Sequence, residues 1–153
     1  MKVAIIGAGI AGLACAGALR SGGIEPVLFD KGRKPGGRLS SLQLDGMAWD
    51  FGAQFLLAGD GAFAAQVSAW REAGLLAAWP EGPEGALVGV PAMSALVAAQ
   101  CAGHDVRFGV QVQRTEHDAD GWHVSGPGWR DGPFAALVVA TPAEQAAPLL
   151  SLH

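Results

Sequence analysis

The chain has 153 residues, the length of one domain; 50% are hydrophobic and only 16% are charged, which excludes a disordered segment. The net charge of −4 argues against a general nucleic-acid binder. The 23 glycines keep no three-residue period, which excludes collagen and asks instead for many turns or close backbone approaches.

The elements are read in chain order. Residues 2–6, KVAII, have the length and β-branching of a buried strand. GAGIAG follows directly, and residues 10–21 read as a helix rich in Ala and Leu that Gly22-Gly23 end. Residues 25–30, EPVLFD, are a second strand closing at Asp30. The first 30 residues thus predict a βαβ unit with a parallel strand pair. Lys2 and the uncharged run after it imitate a signal peptide. However, Gly7, Gly9, Gly12 and Gly17 interrupt the run, and it is short for a membrane span, so no membrane segment is expected.

A basic glycine loop occupies residues 31–41. LSSLQL and MAWDF flank Asp45-Gly46, a strong hairpin signal. Residues 61–73 are predicted helical with Phe63, Val67 and Trp70 on one face. After the WPEGPEG loop come a strand in GALVGV and a helix over 91–102 with Pro91 near its first turn. DVRFG reads as a strand, residues 110–126 as a hairpin turned at Asp118–Gly121, and WRDGPF as its third strand. AALVVATP reads as a final buried strand stopped by Pro142, and the tail after it begins as a helix. The predicted fold is α/β: a Rossmann-like, doubly wound dinucleotide-binding domain over 1–153, with a parallel core sheet and a small antiparallel β-meander.

Gly7-x-Gly9-x-x-Gly12 stands after a strand and opens a helix, where phosphate chemistry wants it. Gly7 allows the tight turn, Gly9 lets the backbone approach a pyrophosphate, and Gly12 lets helix and sheet pack closely. The main-chain N–H groups of Ile10, Ala11 and Gly12 open the helix with a partial positive charge. Asp30 ends the second strand, where a carboxylate accepts ribose hydroxyls and disfavours a 2′-phosphate. NADP is therefore not expected at this first site. The motif alone leaves NAD and FAD open.

The next stretch, KGRKPGGRLSS, favours FAD. An extended dinucleotide can meet a second length of backbone beyond the second strand, beside Lys31. Gly36-Gly37 allow a close main-chain approach, Arg38 can pair with a phosphate oxygen, and Ser40 and Ser41 can donate hydroxyl hydrogen bonds.

With these stretches in view, GAGIAGLACAGAL, LFDKGRKPGGRLSS and WDFGAQF together resemble the start of flavin-dependent amine-oxidase-type proteins, in particular the renalase-like bacterial branch. The resemblance implies that Asp30 binds the adenosine ribose and that Gly36, Gly37 and Arg38 lie against the pyrophosphate. It brings Asp50, Gly52, Ala53 and Gln54 toward the flavin ring. VGVPAMSALVAAQ resembles the segment entering a helix on the flavin side. DVRFGVQVQRTEHDADGWHV resembles the strand pair facing adenine, with Val112 as the adenine contact. LVVATPAEQAAPLL, with Thr141, resembles the turn closing the nucleotide domain.

The implied activity is hydride removal from a small molecule, an amine or a reduced nicotinamide nucleotide, with oxygen or another acceptor reoxidising FAD. Family members are considerably longer, so the chain is expected to be an N-terminal portion. A substrate domain and a C-terminal flavin-closing segment would be absent, and the face they leave would favour self-association. Two other readings stay open: a non-catalytic dinucleotide-binding module that needs a partner chain, and an NAD-dependent dehydrogenase domain.

Other chemistry lacks a pattern. His104, His117, His123 and His153 have no metal-ligand spacing, and no metal site is expected. Neither a Gly-x-Ser-x-Gly elbow nor a P-loop occurs, and no catalytic residue can be named. Cys15 and Cys101 read as reduced, buried thiols of a cytoplasmic protein. Trp49, Trp70, Trp79, Trp122 and Trp129 read as core or hairpin packing, with a wall of the flavin pocket as the alternative for Trp49 and Phe55.

Overall fold

The computed structural model describes residues 1–59 and 61–151. The 153 residues, read from their length as one domain, form two compact units. One joins Met1–Pro35 to Cys101–His153; the other is Gly36–Gln100.

The first unit is built on a four-stranded parallel sheet. Strands β1 (Lys2–Ile6) and β2 (Glu25–Asp30) are joined by helix α1 (Ile10–Ser21), as the βαβ pattern predicts. Later strands complete the sheet. Numbered in chain order they are β7 (Asp105–Phe108) and β11 (Ala136–Val139), and the spatial order is β11-β1-β2-β7. The β1–β2 register sets Ala4 against Val27 and Ile6 against Phe29.

Side-chain alternation divides these strands between two faces. Ile5 and Leu28 are fully buried on the face toward α1, whose Leu13 and Ala16 are also buried. On the other face Ala4, Ile6, Val27 and Phe29 share a core with Val112, Val124, Phe134 and Leu149. Of these last, Val112 precedes the meander, Val124 and Phe134 belong to it, and Leu149 comes from the terminal helix. The meander consists of β8 (Arg114–Asp118), β9 (Gly121–Gly126) and β10 (Trp129–Phe134), in the order β10-β9-β8. The terminal helix is α4 (Ala143–Leu150). Both faces of the parallel sheet are therefore covered, one by a helix and the other largely by strands.

Phe29 organises that second face. Trp129 stacks on it at 5.8 Å, Phe134 meets it edge-on at 6.0 Å, and the Arg107 guanidinium lies 5.1 Å from its ring centre. Aromatic pairs of this kind add about 0.5–1.5 kcal/mol each beyond their buried area. Arg107 is itself held by Asp131 and by Asp105.

The second unit holds β3 (Ser41–Leu44), β4 (Met47–Asp50), α2 (Gly61–Glu72), β5 (Leu76–Ala78), β6 (Leu87–Gly89) and α3 (Ser94–Cys101), whose last residue belongs to the first unit. Asp45 and Gly46 both take positive φ, at 52° and 77°, as the Asp-Gly hairpin signal predicts. In α2, Val67 and Trp70 are buried, and Phe63 meets Trp70 edge-on at 6.1 Å. Strand β5 was not anticipated. Leu-Ala-Ala has no β-branching and is ordered by antiparallel pairing with β6. Helix α3 starts three residues later than the predicted bound, so Pro91 precedes it.

Asp50 explains that start. Its Oδ1 accepts the Met93 N–H at 3.0 Å and the Ser41 hydroxyl at 2.6 Å, and Ser41 in turn accepts the Ser94 N–H at 3.1 Å. The first donors of α3 are thus satisfied by side chains from the hairpin. No helix among the described residues is long and apolar enough to cross a membrane.

Candidate functional site

The C-terminal ends of β1, β2 and β11 converge. In parallel sheets this edge is where ligands bind. Gly7 follows β1 with φ 104° and donates its N–H to the Phe29 carbonyl at 2.8 Å. Ala140, just after β11, donates to the Ile6 carbonyl at 2.8 Å. A Cβ on Gly7 would lie 3.1 Å from the Ala140 carbonyl oxygen and 3.2 Å from the Thr141 methyl group. Thr141 therefore packs directly against the first glycine. Its hydroxyl oxygen is buried and has no hydrogen-bond partner.

The three glycines have separate physical roles. A Cβ on Gly12 would overlap the Gly7 carbonyl oxygen, with the Gly7 carbonyl carbon at 3.1 Å, so the helix start and the loop touch through Gly12. A Cβ on Gly9 would meet nothing within 4 Å. Gly9 is the N-cap of α1, and no side chain caps the helix there. The first-turn N–H groups, including those of Ile10 and Ala11, thus open the helix without a side-chain cap, beside a glycine with free space over its Cα.

Asp30 does more than the sequence reading assigned to it. One carboxylate oxygen accepts the Ala8 N–H at 2.7 Å and the other accepts the Gly32 N–H at 2.7 Å. The acid fastens the glycine loop to the end of β2. The strand end is fixed further by Gly109 N–H to the Gly32 carbonyl at 2.7 Å and Val110 N–H to the Asp30 carbonyl at 2.9 Å. A carboxylate has about four acceptor positions, so two of them remain beyond these bonds. Ala8, Gly32 and Gly109 were missed as site-forming residues because they act through main-chain groups, which carry no side-chain signature.

Val112 is a core residue. Its side chain is buried with Ala4, Ile6 and Phe29, which leaves only main-chain atoms to meet a ligand. It also lies outside any strand, between β7 and β8. Lys31 is exposed directly after the pinned acid.

The second glycine turn lies in the other unit. Gly36 and Gly37 take φ of 157° and 58°, and Gly37–Leu39 form a single 3₁₀ turn. The turn is closed from behind: the Arg38 carbonyl accepts the Ala53 N–H at 2.8 Å, and a Cβ on Gly52 would overlap that same carbonyl. The structure thereby brings Gly36, Gly37, Arg38, Gly52 and Ala53 into one local assembly, with Gln54 next along the chain. Arg38 has an exposed side chain.

The two serines depart from expectation. Ser40 donates its hydroxyl to the Gly37 carbonyl at 2.5 Å, and Ser41 is buried with its hydroxyl committed to Asp50. Both serines hold the turn and the α3 start together. Asp50 is likewise engaged with Ser41 and Met93 rather than presented to a ligand.

Among the aromatic candidates, Trp49 is exposed on the hairpin, and Phe55 packs against Trp79 at 5.9 Å. Both cysteines are half-buried and unpaired, not fully buried as read. Burial raises the Cys101 thiol above its ordinary value, and the Asp30 charge adds to that shift. His117 meets Trp122 edge-on at 4.9 Å, and His123 lies 3.1 Å from Asp118; His153 lies outside the described residues.

Residues 5–68 match the family model of the NAD(P)-binding Rossmann-like domain. A 4,4'-diapophytoene desaturase (4,4'-diaponeurosporene-forming) of Staphylococcus aureus is 42% identical over 60 residues, which are 39% of this chain and 12% of that protein. Among solved structures, a protein assigned as a protoporphyrinogen oxidase, from an Exiguobacterium species, superposes with a TM-score of 0.76 at 12% identity. The match covers 98% of this chain and 61% of that one. A putrescine oxidase redesigned in its cofactor binding gives 0.70 at 14% identity, covering 97% and 59%. The chain thus matches about an eighth of the desaturase's length and about three fifths of each of the two solved chains.

Proposed function

We propose that the chain is the FAD-binding portion of a flavin-dependent oxidoreductase. The observation that carries this reading is the convergence at the sheet edge. An uncapped helix N-terminus faces open space over Gly9, and the buried, unpartnered Thr141 hydroxyl stands beside Gly7. Asp30 is pinned with acceptor capacity to spare. These groups suit a dinucleotide: N–H donors for the pyrophosphate, a carboxylate for the ribose, and a hydroxyl ready to be satisfied.

The choice of FAD rests on the second turn. Gly36 and Gly37 would offer main-chain N–H groups and Arg38 a guanidinium to a phosphate, and by the resemblance Gly52, Ala53 and Gln54 belong with the flavin ring. The main chain at Val112 faces adenine, and Lys31 flanks the ribose. FAD, when bound, accepts the hydride; the residues of this chain bind and orient it. The substrate is a small molecule, an amine or a reduced nicotinamide nucleotide, and the flavin is reoxidised by oxygen or another acceptor. The likeness to an oxidase that acts on putrescine by name supports the amine.

We read the chain as a member of the renalase-like branch, a reading that its GAGIAG, PGGRLSS and WDFGAQF stretches support. We read the cytoplasm as its compartment. The half-exposed apolar face of Leu42, Leu44, Met47 and Trp49 is the surface through which copies self-associate. A rising sedimentation coefficient with concentration is the expected outcome there.

One observation favours a second reading. The matching family model is described as NAD(P)-binding, so an NAD-dependent domain is the rival. The visible spectrum of the purified protein separates the two. A yellow protein that takes up FAD, and loses about tenfold in affinity for it on Arg38→Ala with little change for NADH, supports the proposal. A colourless protein that binds NADH and ignores FAD overturns it.

A further inference from the structure

We infer that the Gly36–Gln100 unit holds a second ligand site, a cleft between α2 and the turn over residues 79–87, and that it takes a small amphoteric molecule carrying an ammonium and a carboxylate on an apolar body. The inference does not rest on the dinucleotide reading.

The cleft measures about 840 Å³, within the size range of small-molecule sites. One stripe of α2 forms its side: Ala64, Val67, Ser68 and Arg71 recur at the three- and four-residue spacing that puts side chains on one helix face. Val67, Ala86 and Leu87 are buried and supply an apolar floor.

The opposite wall is built rather than loose. The main-chain N–H of Trp79 donates to the Ala86 carbonyl at 3.0 Å, that of Gly82 to the Trp79 carbonyl at 3.1 Å, and that of Ala86 to the Pro83 carbonyl at 2.9 Å. A Cβ on Gly82 would lie 2.5 Å from the Trp79 ring, so the glycine lets the turn close over the indole. Phe55 braces the indole at 5.9 Å. Trp79 is thus a rigid aromatic wall.

Charge selects the occupant. Arg71 and Glu84 both line the cleft, and neither side chain has a hydrogen-bond or ion-pair partner among the described residues. They are not paired with each other, since no contact within ion-pair distance joins them. A neutral apolar ligand would leave both charges unused. A plain anion would suit Arg71 and oppose Glu84, and a plain cation would do the reverse. A molecule with both charges meets both groups. The carboxylate accepts the planar guanidinium fork, the ammonium donates to the Glu84 carboxylate, and the apolar body lies against Trp79.

Phenylalanine is the probe, with phenylalaninamide as the cation-only and N-acetylphenylalanine as the anion-only comparator. Each is titrated into the full chain and followed by amide shifts at Ser68 and Trp79. Phenylalanine is expected to bind about tenfold more tightly than either comparator. Arg71→Ala is expected to erase its advantage over the amide, and Glu84→Gln its advantage over the N-acetyl form. Both side chains are exposed, and an unchanged circular dichroism spectrum verifies that the variants fold. Equal binding of all three probes overturns the inference. So does unchanged phenylalanine affinity in both variants, or the absence of shifts at Ser68 and Trp79 with millimolar phenylalanine.

Discussion

Gly9 and Gly12 stand three residues apart in one motif, yet adding a methyl group to each should have opposite consequences. At Gly12 the new Cβ falls inside the 3.0 Å floor that real Cβ atoms keep, against the backbone carbonyl of Gly7, which no rotamer change can move aside. Helix α1 and the loop must separate by roughly an ångström. Overpacking of this kind costs about 1–3 kcal/mol and more where backbone must move, against about 1 kcal/mol gained from alanine's helix propensity. A net loss of about 2 kcal/mol or more is expected for Gly12→Ala, which shifts a urea midpoint by about 1 M. At Gly9 the backbone is at φ −75° and ψ −179°, open to any residue, and the Cβ touches nothing within 4 Å. Gly9→Ala and Gly9→Val should therefore stay within about 0.5 kcal/mol of the parent. The valine fills the space a phosphate needs, so FAD affinity should fall about a hundredfold, the worth of two charge-assisted hydrogen bonds. Urea unfolding by circular dichroism and FAD titration by flavin fluorescence read the two effects separately. A folded Gly9→Val chain that keeps its FAD affinity would refute the reasoning, as would a Gly12→Ala chain as stable as the parent.

Three other perturbations follow from particular contacts. Asp30→Asn keeps one acceptor and turns a donor toward an N–H, so it should lose about 1–3 kcal/mol in a thermal melt without any ligand, as well as weakening dinucleotide binding. Asp50→Ala removes the carboxylate that accepts the Met93 N–H and the Ser41 hydroxyl and should destabilise the second unit by about 2–3 kcal/mol, with faster hydrogen exchange at Met93 and Ser94. His104 has a buried, unpartnered Nδ1, and burial, aided by the Arg20 charge, holds its pKa below the ordinary 6.5. The folded state then binds fewer protons than the unfolded chain below that value. Stability should fall as pH drops through 6.5 and level off below the depressed folded pKa, and His104→Gln should remove that part of the pH dependence in urea midpoints.

The local grammar of the chain was legible where spacing and conformation coincide. KVAII, the Gly7–Gly12 turn and EPVLFD announced a βαβ unit because a parallel strand pair needs that length and that punctuation. Asp45-Gly46 announced a hairpin because both residues must take positive φ. What stayed hidden depends on partners distant in sequence. Leu76–Ala78 becomes a strand only through Leu87–Gly89, and α3 begins where Asp50 and Ser41, from the hairpin, receive its first donors. The division into two compact units was equally hidden, because the first unit pairs residues 1–35 with residues 101–153, and no local signal joins stretches so far apart.

The candidate site shows the same split more sharply. Side-chain chemistry assigned Ser40 and Ser41 to phosphate, since a hydroxyl near a glycine turn looks available. In the fold each hydroxyl already has a protein acceptor, and a donor spent on holding a turn is lost to a ligand. Main-chain chemistry went unread in the opposite direction: Ala8 has no reactive side chain, yet its N–H ties Asp30 to the glycine loop across 22 positions. This tie has a functional consequence. The acid that would hold the ribose and the loop that would hold the pyrophosphate are one hydrogen-bonded piece, so their spacing is set before any ligand arrives. Preorganisation of this kind reduces the ordering cost of binding, which makes the Ala8–Asp30 bond as much a part of the site as the glycines themselves.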